Sequence, residues 1–274
     1  MAFQLSVELV DTHCHLNFEE FGHDRDSVVE RARKNGITRI LNPGIDIETS
    51  KTALMYARKF AEVYAAIGVH PNQGSTWTNK TISELRELAC EQKVVAIGEI
   101  GLDYYRDWTP KEIQKLIFEE QLELSAELGL PVIIHNRNAS DDMWNILLKW
   151  HDTLLATDSS LANRPGVLHS FSGDATIAAE MVGLNFKLGI SGPITFKNSE
   201  TLQTVVIATA AESLFIETDA PYLTPHPFRG KRNEPANVRI VAEKIAELKD
   251  EPLEIIAKIT SAEADKLFGW REFH

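Results

Sequence analysis

His13 and His15 stand one residue apart, directly after the apolar run 7–10. On an extended segment side chains alternate, so both imidazoles point to one face and Cys14 to the other. Two imidazoles converging in this way can share a divalent ion, although a hydrogen-bonded histidine pair would use the same spacing. Glu99 follows the buried-type run Val94-Val95-Ala96-Ile97-Gly98. A carboxylate there needs a positive partner, either an internal arginine or a metal, because an unpaired buried charge is costly. His135 follows Pro131-Val132-Ile133-Ile134, His169 follows Val167-Leu168, and Asp219 follows Leu214-Phe215-Ile216-Glu217-Thr218. Each taken singly has an ordinary explanation, such as a core histidine satisfied by a backbone carbonyl. Four histidines and two carboxylates, each closing an apolar run, together point to a metal site. Six protein ligands are too many for one catalytic ion that keeps a position open. They suit two ions bridged by one carboxylate, about 3.5–4 Å apart.

The elements that must position these residues are short apolar runs separated by longer amphipathic ones. Strands are expected at 7–10, 38–41, 63–67, 94–97, 132–134, 167–168, 186–188 and 214–216. Helices are expected at 24–34, 48–60, 82–91, 111–128, 141–150 and 237–248, among others. Eight strands alternating with helices indicate an α/β fold, a parallel sheet closed as a TIM-type (β/α)8 barrel. An open doubly wound sheet is the alternative, but no glycine-rich phosphate fingerprint follows the first strand. The barrel demands chemistry at the C-terminal ends of its strands. The segments Asp11-Thr12-His13-Cys14-His15, Gly68-Val69-His70-Pro71, Gly98-Glu99, His135-Asn136-Arg137, His169-Ser170-Phe171 and Glu217-Thr218-Asp219 all fall there.

No repeat or linker divides residues 1–274, so one domain is expected. The 28 basic and 40 acidic side chains leave a net charge of −12, which excludes a surface that coats nucleic acid broadly. It leaves room for an enzyme that grips a phosphate locally, since bound metal adds charge that the count omits. No apolar run approaches the ~20 residues that span a bilayer. The first residues lack a basic n-region followed by a long apolar h-region, so no signal peptide is expected. Cys14 and Cys90 cannot build a disulfide framework and fit a reducing compartment, nucleus or cytoplasm. Cys90, late in a helical run with no ligand spacing around it, is expected to pack.

Several segments carry a family likeness: Asp11-Thr12-His13-Cys14-His15-Leu16, Gly68-Val69-His70-Pro71, Gly98-Glu99-Ile100-Gly101-Leu102-Asp103-Tyr104, Pro131-Val132-Ile133-Ile134-His135, His169-Ser170-Phe171-Ser172-Gly173, Glu217-Thr218-Asp219-Ala220-Pro221-Tyr222-Leu223 and Arg229-Gly230-Lys231-Arg232-Asn233-Glu234-Pro235. In this order, across nearly the whole chain, they resemble the TatD-type metal-dependent deoxyribonucleases of the amidohydrolase-like superfamily. The resemblance implies that His13 and His15 hold one ion with Asp219, that His135 and His169 hold a second, and that Glu99 bridges both. It favours Mg2+ or Mn2+ in turnover, with Zn2+ as a possible occupant. The chain departs from the family pattern at Asn17, at Asn72 and in Asn136-Arg137-Asn138-Ala139, which puts substrate preference in doubt more than metal binding.

In that reading Asp219 is the general base for the attacking water, and Glu99 fixes the spacing of the ions. Arg137 would stabilise charge on phosphoryl oxygens. Lys231, Arg232 and Asn233 lie in the one dense basic tract, just before a helix N-terminus, where a phosphate could bind; a solvated loop is the plain alternative. Tyr104, Tyr105, Trp108 and above all Phe171 could stack on bases. The function expected is hydrolysis of DNA phosphodiesters from a strand end, 3'-5', in repair or degradation, by a monomer with DNA as its partner and no membrane. The alternatives are hydrolysis of another bond, such as an aminoacyl-tRNA ester, and a non-catalytic nucleic-acid-binding protein.

Overall fold

The computed structural model describes residues 7–106 and 108–270, so the first six residues of the segment read for a signal peptide lie outside it. The strands are β1 (Leu9–Asp11), β2 (Ile37–Pro43), β3 (Val63–Ile67), β4 (Val94–Asp103), β5 (Val132–Arg137), β6 (Gly166–Leu168), β7 (Lys187–Ile190) and β8 (Leu214–Ile216). They form one eight-stranded sheet in sequence order, each paired parallel to the next. The helices are α1 (Arg25–Lys34), α2 (Ile47–Lys59), α3 (Thr81–Leu88), α4 (Lys111–Leu128), α5 (Ser140–Ala156), α6 (Ala175–Gly183), α7 (Glu200–Ala208), α8 (Val238–Lys249) and α9 (Leu253–Phe268). The order is that of a (β/α)8 barrel forming a single domain, as the alternating runs lead one to expect.

Parallel strands covered on both faces read as unbroken apolar runs. Every residue of β3 and β8 is buried accordingly. The seam between β8 and β1 is closed by backbone bonds at the C-terminal side: Thr12 N–H to Ile216 O (3.1 Å), Asp219 N–H to His13 O (2.8 Å) and His15 N–H to Ala220 O (2.8 Å). Asp11, fully buried, accepts bonds from the Thr218 hydroxyl (2.6 Å) and N–H (2.9 Å) across the same seam.

The inside of the barrel holds its own cluster, from Val10, Leu41, Tyr64, Val95, Ile133, Val167 and Phe215. Leu267, Phe268 and Trp270, at and beyond the end of α9, join it. Trp270 packs edge-on to Tyr64, with ring centroids 4.7 Å apart, and Phe268 lies 5.8 Å from Phe215. Tyr64 and Val95 are the second residues of their strands, so this aromatic plug seals the floor. The opposite end, where the strands finish, stays open for polar side chains.

Two elements differ from expectation. Strand β4 does not stop before Glu99 but runs on to Asp103, with an irregular register between Ile97 and Ile100. Glu99 therefore sits at a break within a strand, where bulges characteristically re-aim a side chain. Cys90 lies beyond the end of α3 and is exposed, its thiol donating weakly to Arg86 O, so it does not pack. Cys14 is buried and both thiols are free.

Candidate metal centre

The six residues expected as ligands meet at the C-terminal mouth. His13 Nε2 and His15 Nε2 are 3.2 Å apart, and each is 3.5 Å from Glu99 Oε2. Asp219 Oδ1 lies 3.8 Å from the first and 3.6 Å from the second. Glu99 Oε1 faces the other way, 3.0 Å from His135 Nδ1 and 3.4 Å from His169 Nε2. One carboxylate thus addresses two groups of nitrogens with its two oxygens.

The spacing can be tested against ligand geometry. Bonds of about 2.1 Å place neighbouring donor atoms about 3.4 Å apart in a tetrahedron. In an octahedron the same bonds give about 3.0 Å. The observed separations of 3.0–3.8 Å match a set of donors drawn around cations. Hydrogen bonds account for some of these separations, but Nδ1 of both His13 and His15 is buried with no hydrogen-bond partner among the described residues. The donor set, imidazole and carboxylate, fits divalent ions.

Electrostatics follow from enclosure. Burial lowers the His13 imidazole well below its ordinary range and His15 to about 4, which keeps both neutral as ligands must be. Burial raises the Asp219 carboxyl to about 7, with Glu99 and Glu217 adding to the rise and His169 opposing it. Burial alone would also raise Glu99, but the surrounding imidazoles, His169 first, hold it well below the usual range. His169 shows the converse: desolvation would lower it, but the charges of Glu99 and Glu217 raise it, so a cation binding there would displace a proton from the imidazole.

A further histidine joins the cluster. His70 Nε2 lies 3.7 Å from Glu99 Oε1, and among the described residues the candidate donor groups are His13, His15 and Asp219; His13, Glu99 and His169; and His70, Glu99 and His135. His70 Nδ1 accepts the Asn72 backbone N–H at 3.0 Å. A neutral imidazole has one lone pair and one N–H, so Nε2 carries the proton and is a donor rather than a ligand. The strand-end segment containing His70 was visible in the sequence; its tautomer depends on the turn that follows.

The substrate-side expectations fare unevenly. Arg137 is exposed two residues beyond His135, its guanidinium 3.8 Å from the Tyr105 ring centroid. Arg106 lies similarly over Trp108 at 4.6 Å. Tyr105 and Trp108 are 62% and 61% exposed, so both rings are open to a ligand, while Tyr104 is tied by its hydroxyl to Asp142 (2.6 Å). Phe171 is buried in the main core and cannot stack on a base; its backbone N–H bonds Gly189 O, which turns the ring inward.

In the basic tract Arg232 makes a two-pronged bond to Asp24, 2.7 Å on each side, and donates to Glu20 O. That pairing holds the Asp24 carboxyl down at about 2. Asn233 is fully buried, its amide donating to Thr218 O (2.9 Å) and Tyr222 O (2.7 Å), so it ties the loop after β8 and offers nothing to a substrate. Lys231 alone of the three stays exposed. Of the departures from the family pattern, Asn17 bonds the Pro43 and Thr49 carbonyls, and Asn72 Nδ2 donates to Asp103 Oδ2 at 2.9 Å.

Comparison with known proteins decides the family. The family model described as TatD related DNase matches residues 10–269. The chain belongs to the TatD family. A Bacillus subtilis protein named uncharacterized metal-dependent hydrolase YabD is 44% identical over 260 residues, covering 95% of this chain and 98% of that protein. A Cronobacter sakazakii protein named 3'-5' ssDNA/RNA exonuclease TatD is 35% identical over 266 residues, covering 95% and 97%. The crystal structure of the TatD homologue YjjV of Escherichia coli superposes with a TM-score of 0.88 at 31% identity, covering 97% of this chain and 99% of that one. This TatD protein is accordingly a metal-dependent hydrolase acting on ester bonds, with histidine and carboxylate groups that can hold its metal. Among the described residues no helix is long and apolar enough to cross a membrane.

Proposed function

We propose that this TatD protein hydrolyses nucleic-acid phosphodiesters, removing nucleotides from a 3' end of DNA, in repair or degradation. The observation that carries the reading is the divided carboxylate of Glu99, one oxygen toward His13 and His15 and the other toward His135 and His169. In it His13, His15, Asp219 and Glu99 would hold one divalent ion, and Glu99, His135 and His169 would hold a second. Such ions supply Lewis acidity and a water acidic enough to attack phosphorus near neutral pH.

The chain's own residues do the rest. Asp219, a carboxylate beside the attacking water, would take its proton and release it again. His70 presents its Nε2–H to a phosphoryl oxygen, a neutral donor whose direction the Asn72 N–H fixes. Arg137, exposed at the end of β5 beyond His135, would stabilise charge on the phosphoryl group, and Tyr105 and Trp108, each with one face under a guanidinium, would offer bases the other face to stack on. The printed name of the Cronobacter relative, an exonuclease on single-stranded DNA and RNA, supports this substrate class.

The test is digestion of end-labelled single-stranded and duplex DNA with Mg2+, Mn2+ or Zn2+ added. The reading expects mononucleotides from the 3' end, and near-total loss of turnover in Asp219→Asn with the fold intact. Intact oligonucleotide beside release of the acyl group from aminoacyl-tRNA would transfer the same site to a carbonyl ester. Binding of oligonucleotide with no cleavage under any metal would leave a binding protein.

A further inference from the structure

The histidines of the centre differ in what stands behind them. His169 Nδ1 lies 3.2 Å from Glu217 Oε1, and the Ser170 backbone N–H donates to the same oxygen at 2.5 Å. Glu217 is fully buried, and His169 is its one ionic partner among the described residues. Gly189 on β7 makes the room, since a Cβ there would lie 2.3 Å from Glu217 Oε2. His135 Nε2 lies 3.4 Å from Asp103 Oδ2, an ionic approach that does not close as a hydrogen bond, and the same oxygen accepts the Asn72 amide. The other Asp103 oxygen accepts the backbone N–H groups of Tyr105 (3.0 Å) and Arg106 (3.1 Å). Among the described residues, no carboxylate pairs with Nδ1 of His13 or His15. Nδ1 of His13 has no hydrogen-bond partner among the described residues, and that of His15 faces Pro43 O without closing a hydrogen bond.

A carboxylate that accepts one imidazole N–H decides which nitrogen keeps the lone pair, and makes that lone pair a stronger donor. Glu217, hydrogen-bonded to Nδ1, leaves Nε2 of His169 free on the side where Glu99 Oε1 lies, and the Asp103 carboxylate, in ionic reach of Nε2, favours the His135 tautomer whose Nδ1 faces the same oxygen. We propose that Glu217 and Asp103 are positioning residues for one ion of the pair, the ion held by Glu99, His135 and His169, and that the ion at His13 and His15 has no such support. The inference rests on the two-ion reading above and adds a functional division within it. Asn72, by donating to Asp103, is part of the support.

The experiment is calorimetric titration of the metal-free full chain with Mn2+, for wild type and for Glu217→Gln, Asp103→Asn, Asn72→Ala and His13→Ala. Near-ultraviolet circular dichroism checks that each variant is folded. Wild type should bind in two steps. Glu217→Gln and Asp103→Asn should each weaken the same step by about 10–100-fold and leave the other within about twofold. His13→Ala should weaken the other step. Asn72→Ala, which removes only a neutral donor, should shift the Asp103-dependent step by a smaller factor and keeps the test alive if a carboxylate variant misfolds. Folded Glu217→Gln and Asp103→Asn proteins that bind both ions as wild type does would overturn the proposal. So would a shift in the step that His13→Ala controls. Wild type binding no Mn2+ would instead sink the two-ion reading beneath it, a separate failure from the first two.

Discussion

Arg232, in the loop after β8, is clamped by both oxygens of Asp24, whereas Arg137, at the end of β5, lies exposed over an open tyrosine ring. Both are arginines at the rim, and the tract around Arg232 is the denser in positive charge. Yet that tract is tied down by its neighbours. Arg31 joins Glu234 to Asp24 in the same network, and Arg229 rests on Phe196. Arg106 and Arg137 stand over the Trp108 and Tyr105 rings, and among the described residues neither pairs with a carboxylate. Density of basic residues in sequence is therefore a poor guide to available charge. The carboxylates that neutralise Arg232 come from about 200 residues away in the chain.

The contrast can be broken in three ways, the largest effect first. Asn233→Ala removes two donors from buried carbonyls and should cost about 3 kcal/mol of stability, read from urea unfolding. A change under about 0.5 kcal/mol with weakened oligonucleotide binding would return Asn233 to the substrate. Arg137→Ala should weaken binding of an uncleavable single-stranded oligonucleotide about tenfold, roughly 1.4 kcal/mol. Its slope of log K against log salt should fall by about 0.7. Lys231→Ala should change binding less than about twofold, and Lys258→Ala on α9 not at all; the reverse ranking would reinstate the loop after β8.

The smallest effect is one of pH. Asp24 is held at about 2 in the folded chain, below its ordinary value near 4. A depressed carboxyl adds stability above the unfolded value, and that share is lost as pH falls from about 4 through 2. Wild type should therefore exceed Arg232→Gln in stability at pH 7 by less than about 1 kcal/mol, the gap closing between pH 4 and 2. A gap unchanged at pH 2 would show that Arg232 acts through its packing on Phe21 instead.

What could be read beforehand divides along the same line. Strand ends declare themselves, because a polar residue after a buried apolar run has few places to point. His13, His15, Glu99, His135, His169 and Asp219 are gathered for that reason. Side chains on the loops beyond do not obey alternation, and there Phe171 turned inward and Asn233 became a buried tie. Glu217 looked like the lead-in to Asp219; its role depends on Gly189, on the neighbouring strand, leaving a space. Helices α6, α7 and α9 were not singled out, although α9 supplies the plug that fixes which end of the barrel stays open.

The central claim is that Glu99 bridges two ions, and anomalous diffraction from Mn2+-soaked crystals tests it most directly. The account predicts two peaks, one among His13, His15, Glu99 and Asp219 and one beside Glu99, His135 and His169, both absent in Glu99→Ala. A single peak, or a peak bound to His70 Nε2, would contradict it.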